Sequence, residues 1–71
     1  MDIKSIELVS FNKNNVGWSE KVYTFYTGQK AYWHTHSHTI KCFNGIGKNI
    51  TETEIGQKMV LAVKQSLELE V

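Results

Sequence analysis

Proline is absent from this 71-residue chain, cysteine occurs once, and no apolar run approaches the roughly 18 residues of a membrane span. Each absence excludes something. A single thiol, Cys42, rules out an intrachain disulfide, so the stapling that commonly rescues very small domains is closed to this one, and a reducing compartment fits. The amino-terminal stretch Met1-Asp2-Ile3-Lys4 lacks the basic and then apolar regions of a secretion signal, which leads us to expect a cytoplasmic protein. The Asn49-Ile50-Thr51 glycosylation pattern is then accidental. Charge of one sign is also missing: 8 basic residues stand against 7 acidic ones, so no overall electrostatic pull favours nucleic acid or an anionic membrane.

Length sets the next limit. A domain of this size buries only about 60% of the surface its unfolded chain exposes, and such cores rarely supply more than ~3–5 kcal/mol. With disulfides excluded, a bound metal or a partner subunit remains to supply the rest. No repeat, low-complexity stretch or linker divides the chain, so residues 1–71 read as a single small α+β domain.

Ile3 to Phe11 is rich in β-branched and apolar residues and reads as a strand, followed by the turn-forming stretch Asn12-Lys13-Asn14-Asn15-Val16-Gly17. Residues 20–27 read as a second strand. Gly28-Gln29 offers the glycine-first pair of a two-residue hairpin turn, and Ala31 to Phe43 becomes the returning third strand. That register places Phe25 opposite Tyr32 and Tyr23 opposite His34. One face then carries Tyr23, Phe25, Tyr32, the histidines, Ile40 and Cys42, and the other carries Val22, Thr24, Tyr26, Trp33, Thr35, Ser37 and Thr39.

Asn44-Gly45-Ile46-Gly47-Lys48 ends the strand pattern, and Thr51-Glu52-Thr53-Glu54 supplies a capping box with Thr51 as the N-cap. Ile55, Met59, Ala62 and Val63 follow at helical spacing and form an apolar stripe. The expected helix runs to about residue 66, and the alternation Leu67-Glu68-Leu69-Glu70-Val71 then reads as an extended tail or short final strand, with a prolonged helix or a frayed end as the alternatives. The predicted architecture is a three-stranded antiparallel β-meander with one carboxy-terminal amphipathic helix packed on it, in the order β-β-β-α.

The most conspicuous chemistry is His34, His36 and His38, the chain's only histidines, on alternate residues. On an extended strand they share one face, and neighbours about 6.5–7 Å apart are able to reach one zinc ion. The outer pair, about 13 Å apart by the same rise, is too distant, so three ligands require a bulge or a second chain. His-Thr-His-Ser-His superficially resembles the first ligand motif of the metallo-β-lactamase family. Ser37 stands in place of that motif's aspartate, no further histidines exist and the chain is far too short, so the assignment fails.

Nucleophilic catalysis finds no better footing. Ser37 and its neighbouring histidines point to opposite faces of a strand, and Cys42 reads as a small core residue, so we expect no enzyme. Gly45-Ile46-Gly47-Lys48 resembles a fragment of a phosphate-binding loop without the full spacing, and ordinary turn chemistry explains it. Tyr23, Phe25, Tyr26, Tyr32 and Trp33 interleave with Lys21, Lys30 and Lys41, the pattern of a single-strand nucleic-acid face with Lys21, Tyr23, Phe25, Tyr32 and Lys41 as its candidate residues, but three sheet lysines in a near-neutral chain make a weak patch.

One sheet face is left over for a partner, which favours a homodimer formed by edge pairing or face stacking, with Val22, Tyr26 and Trp33 as interface residues. If the helix covers that face, Tyr23, Phe25 and Tyr32 take the role. The functional expectation is a small non-enzymatic cytoplasmic binding protein that acts by protein contact. Its size and its Asn, Lys and Ile usage resemble those of small accessory proteins of low-GC bacteria and their phages, including anti-defence inhibitors and adaptors. The competing expectations are a metal-dependent or pH-sensitive homodimer built on the histidine row, with zinc as the candidate ion, and single-strand binding by the aromatic face.

Overall fold

In a computed structural model that describes residues 2–69, the chain is an antiparallel four-stranded sheet of order β1-β2-β3-β4 followed by one helix. The strands are β1 (Ile3–Lys13), β2 (Val16–Phe25), β3 (Lys30–His34) and β4 (Ile40–Phe43), and the helix is α1 (Glu54–Leu69). The α+β meander with a packed carboxy-terminal helix is therefore as expected. The third strand of the sequence reading is two strands joined by a turn.

The first hairpin follows from its turn residues. Asn14 and Asn15 both take positive φ, 52° and 64°, which is the two-residue turn whose twist matches the flanking strands, and Lys13 pairs with Val16 directly beside it. The second hairpin departs from the two-residue Gly28-Gln29 reading. Phe25 N–H donates to the Gln29 carbonyl and Gly28 N–H to the Phe25 carbonyl, each at 2.9 Å, so Tyr26, Thr27 and Gly28 form the loop. Gly28, with φ 89°, closes this loop as its left-handed last residue. The register shifts accordingly: Tyr23 pairs with Ala31, Val22 with Tyr32 and Lys21 with Trp33. That displacement is odd, so Tyr32 and Trp33 exchange faces relative to the sequence reading.

Tyr23, Ala31 and Cys42 now lie in one row across the sheet, and all three are fully buried. With Phe25 they meet Met59 and Val63 of α1, and Ile3, Trp33, Ile40, Ile50, Val60, Ala62 and Leu67 pack around them. The helix lies over β3 and β4. Ile6 and Leu8 of β1 share the helix-side face but are 42% and 68% exposed, because α1 does not extend over them.

The helix start also differs from the expected cap. Thr53 Oγ1 accepts the Gly56 N–H at 3.0 Å and the Thr53 carbonyl accepts the Gln57 N–H at 2.9 Å, which makes Thr53 the N-cap. Thr51 is committed elsewhere: its Oγ1 accepts the Cys42 N–H at 2.9 Å and so ties the loop to β4. At the far end α1 continues to Leu69, because Leu67 sits one turn beyond Val63 and packs on the core. The last two tail positions lie outside the described residues.

Candidate binding face

The histidine row does not form. His34 ends β3, and residues 35–39 turn before β4 begins, with His38 in the left-handed region at φ 59°. The turn is closed by groups bonding to their own backbone: His34 Nδ1 accepts the N–H of both His36 and Ser37 at 3.2 Å, and His38 N–H donates to the His34 carbonyl at 2.8 Å. The Ser37 and Thr39 hydroxyls share a 2.8 Å hydrogen bond. The imidazoles consequently diverge. His38 stacks on Trp33 with centroids 5.1 Å apart, on the helix side, while His34 lines a hollow on the opposite face. The His34 and His36 rings are 5.9 Å apart. Among the described residues no three His, Cys, Asp or Glu side chains come together as a metal-holding group.

Cys42 is buried under the helix, where its thiol donates to the Gly56 carbonyl at 3.5 Å. Burial raises its pKa above the ordinary value of 9.0. The sign is that of an acid held neutral by folding, so this contribution to stability is intact below that value and is lost as pH rises through the raised one. A thiol reagent at neutral pH is expected to label Cys42 at least 100-fold more slowly in native protein than in denatured protein. Equal rates, followed by absorbance, would show that the helix does not shield β4.

The aromatic set proposed from sequence is split by the sheet. Tyr23 and Phe25 lie beneath the helix, out of reach of any stacking base. Lys21 and Trp33 are also on the helix side, with Lys21 Nζ 5.6 Å from the Trp33 ring centroid. Trp33 is therefore no part of a face turned away from the helix. Tyr26 is 71% exposed at the tip of the second hairpin. Only Val22, Tyr32 and Lys41 of the named residues share the uncovered face, in adjacent paired positions.

That face carries a different aromatic group. Phe11 and Trp18, paired across the first hairpin, stack at 5.5 Å and 14°, and Tyr32 meets Phe43 edge-on at 5.5 Å. A shallow groove runs between them, lined by Phe11, Glu20, Tyr32, Lys41 and Phe43. Trp18 Nε1 donates to Glu20 Oε2 at 3.1 Å, which fixes the indole against the sheet. Phe11, Trp18 and Phe43 are the residues the sequence reading missed. The signal for Phe11 and Trp18 was the Asn14-Asn15 turn, which sets them opposite each other and in phase with Val22, whereas Phe43 is placed by the β3–β4 pairing.

The charges are mixed. Strand parity places Lys13, Lys30 and Lys41 with Glu7 and Glu20 on this face. Comparison with known proteins adds nothing to the geometry: no family model, no curated protein and no solved structure matches the chain.

Proposed function

We propose that this chain is a small binding protein that acts by protein contact through the uncovered sheet face, without catalysis. One observation carries the reading: Phe11, Trp18, Tyr32 and Phe43 stand with Val22 on the face that the helix leaves open. Trp and Tyr are the usual anchors of protein interfaces, since each offers a large area at small entropic loss. Three lysines against two glutamates give this face too little net charge to track a phosphate backbone, and the chain has no arginine. An inhibitor or adaptor role, such as phage-encoded anti-defence proteins play, is supported by size and residue usage alone.

Immobilised protein tests the proposal. A protein captured by the wild type is expected to bind Trp18→Ser or Tyr32→Ser about 30-fold more weakly, the effect of losing one interface anchor. Lys64→Ser, on the exposed side of α1, is the control that leaves capture intact. Capture that survives both anchor substitutions overturns the reading. Retention of single-stranded oligonucleotide at low salt, weakened by Tyr32→Ser, would replace it with nucleic-acid binding.

A further inference from the structure

The order of charges across the open face selects a partner. One row of paired residues runs Glu7, Val22, Tyr32, Lys41 from β1 to β4, an acid at one edge, a base at the other and two apolar groups between. Glu7 and Lys41 are exposed, Tyr32 is half-buried and Val22 is nearly covered by its neighbours.

We infer that the occupant of this face is a second copy of the chain, stacked face to face about a two-fold axis that runs along the strands. The inference rests on the open-face reading and names its partner. A face-to-face pair has its axis in the plane between the sheets, and the row distinguishes the two principal orientations. An axis across the strands lays Glu7 on Glu7 and Lys41 on Lys41, which repels at both edges. An axis along the strands reverses the order of the row, so Glu7 faces the partner's Lys41 at both edges while Val22 and Tyr32 exchange places at the centre.

The neighbouring row agrees with this choice. Glu20 pairs with His34 in β2 and β3, and the same axis sets each opposite the other kind, whereas an axis across the strands through the first row carries Glu20 over Thr24 and His34 over Lys30. Stacked sheets lie about 10 Å apart and rotate by roughly 30°, distances that extended Glu and Lys side chains span from opposite sides. The apolar centre supplies most of the affinity. The edge charges fix orientation, which is what charges at an interface rim do best.

Charge swaps test this directly, with sedimentation equilibrium as the readout. Wild type is expected to dimerise. Glu7→Lys sets a lysine against Lys41 and Lys41→Glu sets a glutamate against Glu7, so each variant alone dimerises at least tenfold more weakly. Mixed in equal amounts, the two variants regain a dimer, because the introduced lysine of one meets the introduced glutamate of the other at one edge, and the native Lys41 and Glu7 meet at the other. A monomeric wild type overturns the self-pairing; if Trp18→Ser still weakens capture of another protein, the open-face reading survives that result. A wild-type dimer indifferent to the swaps and to Tyr32→Ser uses another surface and overturns the self-pairing; the open-face reading falls with it only if capture of another protein also survives Trp18→Ser and Tyr32→Ser.

Discussion

Gly56→Ala is expected to lower the melting temperature by about 10–20 °C, although alanine is the better helix former by about 1 kcal/mol. Gly56 is buried in the first turn of α1, and a Cβ there would overlap the Ile50 carbonyl oxygen and stand 2.8 Å from the Thr51 oxygen. Both obstacles are backbone, which cannot swing aside as a long side chain does. The segment that carries them is held from several directions: Ile50 N–H donates to the Cys42 carbonyl at 2.8 Å, Thr51 Oγ1 accepts the Cys42 N–H, and Gln57 Nε2 donates to the Thr51 carbonyl at 2.7 Å. Relieving the overlap lifts the helix start away from β4, at a cost in the upper part of the ~1–3 kcal/mol range for overpacking or above it. Net of the helix-propensity gain, about 2 kcal/mol is lost from a fold that commands only ~3–5. Thermal denaturation followed by circular dichroism checks this. A melting temperature equal to or above the wild type would mean that the loop yields and that the close approach of α1 to residues 50–51 is not what seats the helix.

The same locus shows what was legible in the sequence. The helix was, because Met59 and Val63 repeat at the spacing that a sheet-covering stripe requires, and both are fully buried. Its cap was not, because Thr51 and Thr53 both precede the apolar stripe and local pattern alone does not reveal that Thr51 is taken by Cys42. The first turn was legible from its asparagines. The turn at 35–39 was hidden, since His, Thr and Ser alternate as they would on a wet strand and no apolar residue in the stretch marks one side as inside. What decides there is that His34 Nδ1 accepts the backbone N–H groups of His36 and Ser37, a local competition invisible to periodicity.

The candidate site suffered most from one loop. A three-residue turn at Tyr26-Thr27-Gly28 in place of a two-residue one at Gly28-Gln29 moves the register by an odd number of positions and inverts the faces of β3, while the turn at 35–39 returns Ile40 and Cys42 to the Tyr23 side. Val22 and Lys41 lie on the open face, Lys41 apart from the Tyr23 and Phe25 of its candidate set. Trp33 and Tyr32 exchange faces, and the stacked Phe11 and Trp18 belong to the sheet because β2 begins at Val16, four residues before the expected start.

Met59→Ala is expected to cost about 2–5 kcal/mol, the range for truncating a buried long apolar side chain, and so to leave much of the protein unfolded at about 37 °C at low concentration. Met59 is fully buried among Tyr23, Phe25, Ala31, Cys42 and Val63, and it is the only long side chain that α1 sends wholly into that cluster among the described residues. Met59→Leu, which conserves volume, is expected to cost less than about 1.5 kcal/mol and serves as the control for packing against identity. The truncation also reports on the open face. A folded state that self-associates gains stability by mass action, so the melting temperature of Met59→Ala should climb as protein concentration is raised. Adding Glu7→Lys shifts that climb to at least tenfold higher concentration without touching the core, because Glu7 lies exposed on the other side of the sheet. Calorimetry across a roughly hundredfold range of concentration separates the two contributions. A concentration dependence that stays unshifted in the double variant would show that the stabilising contact does not use the Glu7 edge, and Leu8→Ser would then test the other exposed apolar group of β1.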